Sequence, residues 1–191
     1  MPISSDIRLE GHAIVSADGM IADAAGEVPP ALRNEADWKQ YQAALDHVVL
    51  VVTGRRGHER FPNPGRRRLV LTRSVTLPTA DTDDPLATLW NPAHLGFSEI
   101  LAALGVTAGT VAITGVFDYF LVGYTHFQLS ESNRLVMPGG TPCFAGGHPR
   151  HVLAGQGLLP GRPELIDPEA MVTSTLWSRP PPSLDSEPAN S

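Results

Sequence analysis

Five aliphatic residues stand in a row from Val48 to Val52, and the run is broken at once by Thr53-Gly54-Arg55. A strand that is apolar on both sides needs a layer of structure over each face. Helices packed on a mostly parallel sheet provide that, whereas a half-solvated antiparallel sheet does not. The same signature recurs in Val111-Ala112-Ile113, stopped by Thr114-Gly115, and in Leu69-Val70-Leu71, followed by Thr72-Arg73-Ser74. An earlier run, His12-Ala13-Ile14-Val15, breaks at Ser16-Ala17-Asp18-Gly19 and resumes as Met20-Ile21-Ala22. Each reads as a buried strand ending in a loop.

Helical spacing lies between these runs. Asn34 caps a predicted helix from about Glu35 to Leu45, with Trp38, Tyr41 and Leu45 on one stripe. A second helix begins near Arg55, a third covers Phe97 to Leu104 and ends at Gly105, and a short one fits Val116 to Leu121. Thr125 to Ser130 and Met171 to Trp177 alternate as strands do, the latter as part of an antiparallel edge. The expected fold is a three-layer α/β domain with a mostly parallel central sheet and an antiparallel C-terminal edge. Ligands in such sheets bind beyond the carboxyl ends of the strands. That directs attention to the loops at residues 16–19, 53–58, 72–74 and 114–116.

The chain has 191 residues, enough for one domain with a sizeable core, expected over residues 1–178. The segment 179–191 is too rich in Pro and Ser to pack and is expected to stay out of the fold. A net charge of −6 gives no footprint for nucleic acid or an anionic membrane. No apolar run is long enough to span a bilayer, and the first ten residues lack a secretory pattern. The single cysteine, Cys143, allows no disulfide within the chain and suits a cytoplasmic setting, with the thiol as a small buried hydrophobe. The seven histidines lack zinc-type spacing, and His148 and His151 fall in a Gly/Pro-rich stretch read as a loop, so no metal is expected. Trp90 and Trp177 read as packing residues. Arginines gather between Arg55 and Arg73; an anionic ligand and a solvated loop both account for them, the solvated loop being preferred for Arg66 to Arg68.

Read in order, these loops resemble the dihydrofolate reductase-like superfamily, including the reductase domain of the riboflavin-pathway deaminase-reductase. Ile14 to Ala22 is similar to the first strand and its S-x-D-G-x-I-A loop, and the helix carrying Asp37, Trp38 and Tyr41 to the first helix. Thr53-Gly54-Arg55-Arg56 resembles the M-G-R-x-T turn, and Pro64 to Ser74 resembles P-G-R-x-x-x-V-L-[ST]-R, the most specific match. The resemblance covers about Gly11 to Trp177. It implies NADPH held by Ala13, Gly19, Gly54, Arg55, Arg56, Thr72, Arg73, Ser74, Thr114, Gly115 and Val116, with Thr72 to Ser74 on the 2′-phosphate. It implies a small-molecule substrate near Asp18, Tyr41 and Ser130, and Asp37 as the acid that protonates a ring nitrogen. An exposed Asp37 at the helix start, with Glu35 facing the cleft, is the competing alignment.

The sequence departs from the pattern in two places. The family's I-G-G turn reads Ile113-Thr114-Gly115 and is short, and Val28-Pro29-Pro30 carries no Trp. Two functions follow: a reductase acting on a C=N or C=O bond of a pterin-like or ribosylated pyrimidine-like molecule, or a repurposed non-catalytic binder. A homodimer through the C-terminal strands is compatible with either.

Overall fold

The structure is a computed structural model that describes residues 4–61 and 63–181. The segment expected to stay out of the fold lies, from residue 182 on, outside the described residues. In chain order the strands are β1 (Ile7–Ser16), β2 (Met20–Ala22), β3 (Leu50–Gly54), β4 (Arg68–Leu71), β5 (Thr79–Ala80) and β6 (Ala87–Trp90), then β7 (Gly109–Thr114), β8 (His126–Ser132), β9 (Thr141–Pro142), β10 (Leu159–Pro160), β11 (Glu164–Asp167) and β12 (Val172–Ser178). The helices are α1 (Glu35–Leu45), α2 (Arg55–Arg60), α3 (Phe97–Ala103) and α4 (Pro149–Gly155), with 3-10 segments at Pro30–Leu32 and Phe117–Gly123.

The large sheet runs β10-β12-β8-β1-β7-β3-β4-β6-β5, with β11 also on β12. Neighbours from β8 to β6 pair in parallel; β12, β10, β11 and β5 are antiparallel additions at the two edges. β2 and β9 form a separate antiparallel pair. The predicted mixed sheet is therefore present, and β12 lies one strand inside the edge.

The double-sided apolar runs separate two cores. Leu50 and Val52 of β3, with Val111 and Ile113 of β7, join Leu9, Val15, Phe127, Leu129 and Trp177, and beneath them Ile100 and Leu101 of α3, Leu153 of α4 and Phe117. Val51 and Ala112 point the other way, to a small cluster with Leu45 of α1. Alternation of side chains along a strand produces this division. Gly11 sits on the large-core face opposite Phe127, and a Cβ there would lie 2.2 Å from the Phe127 ring.

Some expectations need correction. β3 begins at Leu50, because Val48 and Val49 still belong to the turn after α1, and Val49 is exposed. The segment after β7 is a 3-10 helix that starts at Phe117. Arg68 is no part of a solvated loop: it is buried and ion-paired with Asp84, while Arg66 reaches Asp46 at 2.7 Å and Gln42. His148 and His151 do not lie in a loop but begin α4, where His148 Nδ1 accepts from the Arg150 N–H and Pro149 occupies the first turn. Among the described residues no helix is long and apolar enough to cross a membrane.

Candidate active site

The chain order of the parallel strands creates the opening. β3, β4 and β6 are laid outward in succession, and the chain then returns to place β7 between β3 and β1. The β1–β7 register ends at Gly11↔Ile113, whereas β1 continues beside β8 to Ser16↔Ser132. From His12 onward β1 has a strand on one side alone. A cavity of about 730 Å³ lies there, lined by His12 and Ala13 of β1, Thr53 of β3, Thr114 at the end of β7 and Gly115 after it, and Asp37 and Tyr41 of α1.

The start of α1 is fixed from two directions. The Asn34 side chain accepts the Asp37 N–H at 3.0 Å, and its Nδ2 donates to Asp167 at the end of β11 at 2.7 Å. This sets the rotation of the helix. Asp37 and Tyr41, one turn apart, face the cavity and the sheet. Glu35 is 81% exposed at its side chain and is paired with Lys39, so Asp37 is the acid that is drawn inward.

Burial pushes the Asp37 carboxyl above the usual aspartate range, against a hydrogen bond with the Ser130 hydroxyl that pulls the other way. A wider network continues from Ser130: its hydroxyl lies 3.0 Å from Ser174 Oγ, either of the two able to donate, Ser174 donates to Gln40 Oε1 at 2.8 Å, and Gln128 Nε2 donates to Ser174 at 2.7 Å. The acid thus sits at the end of a polar chain that crosses from α1 to β8 and β12.

Tyr41 stands between Trp38 and His12, with ring centres 5.7 and 5.6 Å away. Its hydroxyl accepts from Asn63 Nδ2 at 3.3 Å and is hydrogen-bonded to Thr114. Thr114, next after Ile113 at the end of β7, is therefore linked to α1. Gly115 follows at φ +73°, and a Cβ there would meet nothing within 4 Å. The turn is thus open, suited to close approach of a ligand.

Arg56 of α2 lines the cavity and has no ion-pair or hydrogen-bond partner among the described residues, whereas Arg55 is exposed and bonded to Glu59 at 2.7 Å. Gly54 leaves space that the Val116 side chain approaches, 3.0 Å from a hypothetical Cβ. Thr72, Arg73 and Ser74 lie beyond β4, one strand further along the same sheet edge and outside the cavity lining, with the two hydroxyls 3.0 Å apart. Asp18 does not line the cavity either. Its carboxylate accepts from the Ser16 hydroxyl at 2.5 Å and from the Met137 N–H at 3.0 Å, which outweigh burial and hold it below the usual range. Gly19, at φ +85°, lets Pro149 of α4 approach to 2.8 Å from where a Cβ would be.

Sequence reasoning missed His12, Gln40, Gln128 and Ser174. The period-2 polar series Arg8, Glu10, His12 marks one face of β1 as polar, and that signal was readable.

No protein-family model matches the chain, and no curated protein matches it in sequence. Solved structures do match. The chain is similar to a dihydrofolate reductase from Enterococcus faecalis complexed with NADP(H) and RAB-propyl: the TM-score is 0.62, the identity 18%, and the match covers 90% of this chain and 96% of that one. It is also similar to a diaminohydroxyphosphoribosylaminopyrimidine deaminase/5-amino-6-(5-phosphoribosylamino)uracil reductase from Thermotoga maritima, with TM-score 0.66, 16% identity, and 91% and 57% of the two chains covered. The present chain thus spans a little over half of that second protein. The chain shares the fold of these two solved structures.

Proposed function

We propose that this chain is an NADPH-dependent reductase acting on a C=N or C=O bond of a flat, pterin-like or ribosylated pyrimidine-like molecule. The observation that carries the reading is Asp37: an acid that burial pushes above the usual aspartate range, in a cavity at the carboxyl ends of parallel strands, beside an open glycine turn. The residues present fit the cofactor. Gly115 leaves room for it, Arg56 offers an unengaged cation to the pyrophosphate, and the unpaired edge of β1 at Ala13 offers backbone groups to the carboxamide. Arg73, exposed and without a partner among the described residues, would take the 2′-phosphate with Thr72 and Ser74. When bound, NADPH supplies the hydride.

The chain's own residues supply the proton and the position. Asp37 gives its proton to the nitrogen or oxygen of the bond being reduced and is left as a carboxylate. The Ser130 hydroxyl, hydrogen-bonded to Asp37, stabilises that charge. Trp38 and Tyr41 offer flat surfaces to a planar ring. Burial at this wall of the cavity disfavours the charged form of the acid before substrate arrives.

Titration of the purified protein with NADPH and, separately, NADH, read by fluorescence or calorimetry, tests the reading. NADPH bound at least tenfold tighter than NADH is expected, followed by NADPH oxidation in a screen of pterins and ribosylated pyrimidines. Binding of neither nucleotide overturns it and leaves the repurposed binder.

A further inference from the structure

On the α1 side of β1, one histidine lacks a partner. His12 is 7% exposed, lines the cavity, and lies with its ring tilted by 57° to that of Tyr41. Its Nε2 is buried and makes no hydrogen bond among the described residues. The nearest acid oxygen, Glu10 Oε1, is 3.4 Å away, within ion-pair range but off the line of a hydrogen bond. A buried polar group left unpaired calls for an explanation.

The other ring nitrogen, Nδ1, makes no hydrogen bond among the described residues either, and the neighbours cannot supply one, because they are committed elsewhere. Glu10 is held by Arg8 at 2.6 Å on the same strand. Gln128, opposite His12 on β8, donates to Ser174. From α1, the Tyr41 hydroxyl is engaged with Asn63 and Thr114, and Asp37 with Ser130. His126 of β8 bonds Thr125 and shares the field of Arg8 and Glu10. What remains for Nδ1 is whatever the cavity holds.

We propose that His12 is the specificity-determining residue of this cavity, accepting a hydrogen bond from an N–H or O–H donor on a planar, uncharged nitrogen heterocycle. The inference rests on the cavity being the substrate site argued above. The polarity follows from the surroundings. Burial, aided by Arg8 and opposed by Glu10, keeps the imidazole neutral, so it has one donor and one acceptor nitrogen. The Glu10 carboxylate faces Nε2 and favours the tautomer with the proton there. Nδ1 is then the acceptor, and the ligand must bring the donor. Asp37 and His12 flank Tyr41, so the ligand is read at two points: it takes a proton from Asp37 and gives a hydrogen bond to His12. A molecule with a reducible bond but no donor is rejected, because it leaves the imidazole unsatisfied.

The test uses two probes of nearly equal shape, 2-aminopyrimidine with a donor and 2-methylpyrimidine without one. Each is titrated by NMR into the intact protein, with and without NADPH, for wild type, His12→Leu and His12→Asn. Wild type is expected to prefer the amino compound by about tenfold at neutral pH. The preference should vanish in His12→Leu and persist in His12→Asn, whose side-chain oxygen is an acceptor that does not titrate. It should fade in wild type as acid charges His12, and not in His12→Asn. Equal preference in wild type and His12→Leu, or no binding of either probe, overturns the proposal. If His12→Leu does not fold, the pH arm of wild type against His12→Asn decides the matter. NADPH binding in the same samples separates the two readings. Failure of NADPH with a His12-dependent preference removes the reductase and keeps the site; the reverse removes the site and keeps the reductase.

Discussion

The two faces of β1 and β8 are held by different forces. On one, Leu9, Val15, Phe127 and Leu129 are fully or almost fully buried against α3, α4 and the 3-10 segment at Phe117–Gly123. On the other, His12, Gln128, Ser130 and Ser174 face α1, whose one fully buried side chain is Leu45. The apolar face stabilises the fold through area and close packing. The polar face adds little net stability, since hydrogen bonds replace bonds to water. It is the face that carries the acid. The lesson is that the same strands separate rigidity from chemistry by alternation alone, so damage on either face should appear in a different measurement.

The largest expected effect tests the apolar face. Phe127→Ala should cost about 3–5 kcal/mol in denaturant unfolding, and Gly11→Ala about 3 kcal/mol, because its methyl meets the Phe127 ring. A loss under 1 kcal/mol in both would show that this face is not the stabilising one. On the polar face, Asp37→Asn should lower turnover by about 100-fold or more yet raise the melting temperature at neutral pH by about 2 °C. A carboxyl whose folded value is raised contributes stability below its unfolded value and loses it as pH rises through the folded one. The melting advantage of Asn should therefore close as pH falls to the ordinary aspartate range. A loss of melting temperature at neutral pH would contradict the buried-acid reading.

Two smaller effects sharpen the comparison. Arg56→Ala should weaken NADPH binding about tenfold, with Arg55→Ala near wild type because Arg55 is an exposed partner of Glu59. The reverse ranking would move the cofactor out of the cavity. Ser174→Ala should cost about 1 kcal/mol and shift the acid titration of the pH–rate profile downward. Without Ser174 the Ser130 hydroxyl, which can donate to either neighbour, is left to Asp37 alone, which favours the carboxylate. An upward shift would show that Ser130 does not donate to Asp37.

The apolar face was legible in the sequence because its signals are local. The runs at Val48–Val52 and Val111–Ile113, the Asn34 cap and the Gly105 stop each lie within a few residues of what they specify. Asp37 was legible as a candidate, but its rotation was not, since that depends on Asn34 reaching Asp167. Arg55 and Arg56 differ in sequence by one position and in space by the turn of a helix, so only the structure separates the free cation from the paired one. The links from His12 to Tyr41, Ser130 to Ser174 and Gln40 to Ser174 join segments remote in the chain, and no periodicity announces them. Arg68 looked solvated because its partner, Asp84, lies in a different loop.

The sparse apolar contact of α1 has a mechanical consequence. A helix seated on a greasy surface can slide or roll slightly at little cost, since dispersion contacts have no direction. This one is located at separate points along its length: Asn34 on Asp167, Gln40 on Ser174, Tyr41 on Thr114 and Asn63, and Gln42 and Asp46 on Arg66. Directional anchors of this kind fix translation and rotation together, as the locating pins of a mount fix a plate. What the helix gives up in holding strength it recovers as repeatable placement of one carboxyl group.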